Sequence, residues 1–301
     1  MIRAAATLLL FLFSLLFWGI PAALMGIVKF AVQVTAPRSA LRARVILTIA
    51  RIADGWVATN NRIIDRMLPT RWDIAGVPDG LRLDGRYLVI SNHVSWVDIF
   101  VVARVFHART PFIRFFMKRR LIWFPIAGQA CWALEFPFLR RYTAEYIARH
   151  PEKRGRDLQT ARKACQRYRH IPVTILAFLE GTRFTREKHD DQESPYRHLL
   201  RPRSGAASFV VASLGDQLDG VLDATIAYPD DGVTFWDFVN GRVPRIVVRV
   251  RSLALPPEFV GGAIIEPGEA RDRFRRWIES IWRDKDALLD ALATAAGSPP
   301  G

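Results

Sequence analysis

The sequence predicts an α/β domain, a largely buried mixed sheet flanked by helices, carried behind an N-terminal membrane helix. Three observations predict it. An uncharged run from Ala4 to Val28 meets the ~20 apolar residues that a bilayer crossing needs. From Trp72 onward, short apolar runs alternate with helix-length ones, the pattern of strands covered by helices. Two of the strand-like runs stop abruptly at polar clusters, Ser91–Asp98 and Glu180–Arg183, which is how an α/β sheet presents chemistry at its carboxyl ends.

The anchor takes residues 1–36. A cleaved signal peptide would hold an apolar core of only ~7–15 residues and end in small residues. Here the apolarity continues past Pro21 to Ala36, which favours retention. Gly19-Ile20-Pro21 either kinks this helix or divides it into two halves that dip into one leaflet. Lys29, Arg38, Arg42, Arg44 and Arg51 follow the anchor, against Arg3 alone before it. That bias puts the following domain in the cytoplasm, with the arginines against anionic headgroups.

Residues 37–70 read as a juxtamembrane helix, with Leu41, Val45, Ile49, Ile52 and Ile63 on recurring faces. The main domain takes 71–255. Its strands are expected at Leu88–Ile90, Phe112–Phe116, Val173–Leu179, Val221–Ala227 and Ile246–Val250. Helices are expected at Asp98–Val105, Thr143–Arg149, Gly155–Tyr168 and Gly205–Leu214, and a polar surface loop at 186–200. Residues 256–301 supply an amphipathic helix, Pro267–Ala293, and a tail. The helix is expected to dock on the domain through Phe274, Ile278, Ile281, Trp282, Leu289 and Leu292, with a bilayer-surface role as the alternative.

The formal charge of +14 and pI of about 10.6 call for an anionic partner: a bilayer surface, a phosphorylated substrate or nucleic acid. Cys131 and Cys165 have no ligand spacing and form no disulfide framework, so a reducing compartment is expected.

His93 follows the strand at once and Asp98 comes five residues later. Five is too wide for one helix face, but a histidine in the turn before the helix lets the aspartate reach back to it. A carboxylate so placed holds the imidazole in one tautomer, leaving its other nitrogen to take a proton. A core or capping histidine is the plainer alternative. In the second cluster Gly181 allows close backbone approach, Thr182 offers a hydroxyl and Arg183 a planar fork for phosphate. Glu180 would oppose an anion and is expected to steer an arginine. A zinc site takes roughly three or four convergent ligands, and neither His93 with Asp98 nor Lys188-His189-Asp190-Asp191 supplies them. No metal is expected, and His107, His150, His170, His189 and His198 read as surface or core residues.

Asn92, His93 and Asp98, with Phe178 and Glu180-Gly181-Thr182-Arg183 following in that order, resemble the glycerolipid acyltransferases, the family of lysophosphatidic acid acyltransferases. That family is marked by Asn-His-x-x-x-x-Asp and Phe-Pro-Glu-Gly-Thr-Arg; Leu179 stands here in place of the proline. Between the two blocks the family carries an arginine for the acceptor's phosphate, which here is Arg141 or Arg140 after Phe138-Leu139. Its fourth block is matched only loosely, by Ala224–Pro229. The resemblance covers roughly 70–230, and the segments 122–138 and 140–169 look most similar to a bacterial inner-membrane branch.

The resemblance implies a membrane-bound O-acyltransferase at the inner membrane, facing the cytoplasm. It moves a fatty acyl group from acyl-CoA or acyl carrier protein, with no cofactor, to the hydroxyl of lysophosphatidate, giving phosphatidate. Another lysophospholipid such as lysophosphatidylglycerol is the alternative acceptor. His93 is then the base and Asp98 its orienting carboxylate, with backbone N–H groups at the following helix start for the oxyanion. Arg183, Thr182, Gly181, Glu180, Arg141 and Arg140, joined by Lys118 or Arg203, hold the phosphate. Trp96, Ile99, Phe100, Phe124, Trp132 and Phe136 are acyl-groove candidates. No serine or cysteine nucleophile is paired with His93, so the acceptor attacks directly. The reading from another class is a membrane-tethered nucleic-acid-binding protein using the basic, aromatic run 140–169. It lacks a recognition motif, and the anchor favours lipid, so no nucleic acid is expected.

Overall fold

A strand apolar on both faces belongs in the middle of a sheet, and Tyr87–Ile90 lies there. The structure, a computed structural model, describes residues 2–36, 40–140, 144–150, 152, 156–229, 232–261 and 264–297. Its strands are β1 (Arg71–Ala75), β2 (Arg86–Ser91), β3 (Ile113–Phe115), β4 (Met117–Lys118), β5 (Phe138–Leu139), β6 (Val173–Phe178), β7 (Gly220–Ala227) and β8 (Arg245–Leu253). Six form one sheet in the order β1-β8-β7-β2-β6-β3, and β4 pairs with β5 in a parallel ribbon. All pairings in the large sheet are parallel except β7 with β8. Strands β2, β6 and β7 therefore run the same way and end side by side, with Ser91 opposite both Phe178 and Ala224.

The helices are α1 (Ile2–Thr35), α2 (Ala40–Met67), α3 (Asp98–Phe106), α4 (Ala127–Ala133), α5 (Ala144–Arg149), α6 (Arg156–Tyr168), α7 (Arg186–Asp191), α8 (Gly205–Leu214), α9 (Phe235–Val239) and α10 (Glu269–Gly297). They cover both sides of the sheet. Strand residues alternate in facing direction, so Leu88, Ile90 and Ile175 meet Tyr168, Val211, Phe274 and Trp282 from α6, α8 and α10. Tyr87, Val89, Leu176 and Leu222 meet Ile64, Val101, Val105 and Phe238 from α2, α3 and α9. Each such side chain, fully buried, contributes about 1.5–3 kcal/mol.

Helix α1 runs unbroken through Pro21, which excludes the division into two half-helices. It is long and apolar enough to cross a membrane, yet its small and polar residues also pack along the domain. The Trp18 ring covers Gly55 of α2, where a Cβ would stand 2.5 Å from it. Gly26 lies against Trp132 and Ala133. Lys29 donates to the carbonyls of Ala133 (2.8 Å) and Trp132 (3.1 Å). The opposite side exposes Leu9, Leu12, Phe13, Phe17, Leu24, Ile27 and Phe30.

Three short helices and three strands, β1, β4 and β5, were not expected from sequence. Strand β1 is an edge strand of mixed polarity. Helix α4 is apolar nearly all round, while α7 is polar throughout and lies inside the segment expected to be loop. Helix α9 is a single capped turn, with Thr234 and Asp237 forming a reciprocal capping box. None of these has a period to read.

Candidate active site

The carboxyl ends of β2, β6 and β7 bring three loops together. His93, in the turn between β2 and α3, meets Asp98, the first residue of α3, at 2.9 Å from Nδ1 to Oδ2. Asp98 is fully buried and accepts three more hydrogen bonds. Val94 N–H (2.7 Å) and Ser95 N–H (2.9 Å) donate to Oδ2, and the Tyr228 hydroxyl (2.6 Å) donates to Oδ1. An ionised carboxylate only accepts, so the His93 proton sits on Nδ1 and Nε2 carries the lone pair. The imidazole is also stacked on Phe178, ring centres 4.1 Å apart. Burial and the neighbouring Asp98 hold the Tyr228 phenol well above its ordinary value, so it stays a donor.

The turn is fixed from behind as well. The Asn92 amide donates to Ile226 O (2.8 Å) and accepts from Ile226 N–H (2.9 Å), tying the end of β2 to β7. Phe184 N–H donates to His93 O at 2.7 Å. Glu180, buried, accepts from His93 N–H (2.9 Å) on one oxygen and from Leu200 N–H (3.2 Å) on the other. Burial first of all pushes its carboxyl up to about 8, with Asp98 adding to the rise and the two N–H donors and Lys285 opposing it. This corrects two expectations. Glu180 is neither a phosphate ligand nor the guide of an arginine, because both its oxygens are spent on backbone. The N–H groups of Val94, Ser95, Val97 and Asp98 are likewise engaged within the turn, which leaves Trp96 N–H as its open donor among the described residues.

Beside His93 lies a groove of about 720 Å3 lined by Val94, Trp96, Ile99, Phe100, Arg183 and Lys188, among others. Arg183 is exposed, its guanidinium stacked over Trp96 at 5.1 Å. Thr182 accepts from Lys188 Nζ at 3.1 Å. Gly181 has φ +69°, and the Arg203 side chain crosses 3.3 Å from where a Cβ would stand, so the turn needs glycine. Trp56 and Ile99 line both this groove and an apolar cavity of about 150 Å3 bounded by Ala22, Ala53, Ala103, Phe136 and Leu176.

Trp96, Ile99 and Phe100 thus face the groove and Phe136 the cavity. Phe124 and Trp132 line neither. Phe124 is exposed, and Trp132 is spent on α1, its ring 5.0 Å from Lys29 Nζ. Arg140 and Lys118 are exposed at the β4–β5 ribbon, and Arg141 lies outside the described residues. Sequence reasoning missed Tyr228 and Lys188. Tyr228 stands in the loosely matched Ala224–Pro229 block, directly past a strand end, and that position was the available signal. Among the described residues no group of His, Cys, Asp and Glu is placed to hold a metal ion.

A histidine–carboxylate pair at the carboxyl ends of parallel strands, beside a basic and aromatic groove, supplies the base and the anion-and-chain groove that a transferase acting on an acidic lipid needs. The acyltransferase family model matches residues 72–229, more than half of the chain, and the chain belongs to that family. It is 25% identical over 223 residues to 1-acyl-sn-glycerol-3-phosphate acyltransferase 3 of Arabidopsis thaliana, covering 69% of this chain and 54% of that one. It is 26% identical over 257 residues to lysocardiolipin acyltransferase 1 of Danio rerio, covering 79% and 60%. The chain therefore spans little more than half the length of these relatives. The fold is that of the 1-acyl-sn-glycerophosphate (LPA) acyltransferase PlsC of Thermotoga maritima, with TM-score 0.52, 16% identity, and 95% and 97% of the two chains covered.

Proposed function

We propose that the protein transfers a fatty acyl group from a thioester, acyl-CoA or acyl carrier protein, to the free hydroxyl of lysophosphatidate. The observation that carries this is the His93–Asp98 pair standing beside a groove that is cationic at Arg183 and Lys188 and apolar beyond Trp56. His93 Nε2 takes the hydroxyl proton as the acceptor oxygen attacks the thioester carbonyl. Asp98 stabilises the imidazolium so formed. The proton then passes to the departing thiolate as the carbon–sulfur bond breaks. A positioned base of this kind contributes about 10²–10⁴ in rate.

Arg183, exposed and braced on Trp96, suits a phosphomonoester, and Lys188 adds a second cation. Each fixes the acceptor's anionic end while its hydroxyl stays at His93. The acyl chain takes the apolar side of the groove toward the cavity. Names of the relatives support a glycerophospholipid acceptor; lysophosphatidylglycerol is the second candidate. The donor is the only co-substrate required.

The exposed apolar side of α1 supports a bilayer partner. Helix α1 contacts the domain at Gly26 and Lys29 near its end and through Ala4 near its start. A helix so attached along its length lies with the domain at the membrane surface, its free face sunk in one leaflet. Arg44 and Arg51, both exposed, then face anionic headgroups at the cytoplasmic side of a bacterial inner membrane, whereas Arg42 is turned to Glu135 at 3.1 Å.

Detergent-extracted protein offered several lyso-acceptors against both donors tests the assignment. Turnover with lysophosphatidate is expected, with Arg183→Ala raising the acceptor KM most. Equal use of acceptors lacking phosphate would contradict it.

A further inference from the structure

Lys285 is a lysine set in the apolar stripe of α10, between Trp282 and Leu289, and it is fully buried. Buried ammonium groups are costly unless every proton finds an acceptor. Here it meets two acceptors and one opposite charge, all on β7: it donates to Ala224 O at 2.8 Å and Thr225 Oγ1 at 3.0 Å, and pairs with Asp223 Oδ1 at 2.6 Å. Helix α10 lies outside the residues matched by the family model.

The three acceptors directly precede the part of β7 that serves the site. Ile226 holds Asn92, and Tyr228 holds Asp98. A second line from α10 reaches Glu180. Trp282 Nε1 donates to Leu200 O at 3.0 Å, and Leu200 N–H in turn donates to Glu180. Among the described residues the charges bearing on Glu180 are Asp98 from α3 and Lys285 from α10; those bearing on Lys285 are Asp223 from β7, Arg251 from β8 and Glu180 itself.

We propose that Lys285 is a positioning residue for the transferase reaction, holding the end of β7 in the arrangement through which Ile226 and Tyr228 set Asn92, Asp98 and so His93. This rests on the reading of His93 as the base. If Lys285 served only to balance Asp223, neutralising both would restore everything, since a buried pair is often replaced without loss by groups of similar volume.

The test compares full-length wild type, Lys285→Met and Asp223→Asn/Lys285→Met, with His93→Ala as reference, in one acyl-transfer assay across pH. The double variant is expected to fold, with a thermal stability below wild type because Ala224 O and Thr225 Oγ1 lose their donor and Arg251 its charge partner on β7. Its kcat is expected to fall between about tenfold and about a hundredfold, the scale of a misplaced catalytic group, with acceptor KM unchanged. A double variant with wild-type kcat would overturn the proposal even if Lys285→Met alone failed to fold. Turnover by His93→Ala would instead overturn the underlying assignment of the base.

Discussion

At Asp98 four donors converge on one buried carboxylate, and this sets the chemistry of His93 more firmly than the two residues' spacing alone. Tyr228→Phe removes a charge-assisted hydrogen bond and leaves Oδ1 buried without its donor. The expected cost is about 1–3 kcal/mol of stability, read by urea denaturation, together with a lower kcat. Glu180 gives a pH signature. Its folded value lies near 8 against an ordinary 4.5, so the folded state favours the protonated group. Its contribution to stability is present below pH 4.5 and is lost as pH rises toward 8. Wild type should therefore lose stability relative to Glu180→Gln between pH 5 and pH 8 in paired denaturation curves. His93, Asp98 and Arg183 were legible in the sequence because strand ends and motif spacing mark them. The role of Glu180 was not, since a carboxylate next to an arginine in sequence gives no sign that backbone N–H groups will claim both oxygens.

Among the elements, the long ones were read closely. The α2 helix and β2, β6, β7 and β8 have clear periods, and α8 has an apolar run of helical length between breakers. The short α4, α7 and α9 have too few residues for a period to emerge. The stripe of α10 was legible, but Lys285 within it was passed over, although a lysine at a core position of an amphipathic helix is itself a signal of a buried partner. The junction of groove and cavity belongs to α2 and α3, through Trp56 and Ile99. Ala103→Leu on α3 narrows the cavity beyond that junction. It is expected to shift donor preference toward shorter acyl chains in a competition among thioesters, at a packing cost of about 1–3 kcal/mol or less.

For the whole molecule, charge and apolarity act on the same surface. Helix α1 packs Phe11, Trp18 and Gly26 on the domain and keeps Phe13 and Phe17 exposed, so replacing those two by glutamate is expected to remove membrane contact without touching the core. Flotation with vesicles containing phosphatidylglycerol is expected to carry wild type upward and to leave that variant at the bottom. Sequence showed the apolar run but not its packing along the domain, because small residues in a membrane-like helix read only as apolar. The proposed role of His93 as base joins these scales, and the release of free thiol from acyl-CoA in the presence of lysophosphatidate tests it directly. Wild type should release thiol only when lysophosphatidate is added, and His93→Ala, with an unchanged circular dichroism spectrum, should lose at least about a hundredfold. Acceptor-dependent release by folded His93→Ala at the wild-type rate would contradict the account.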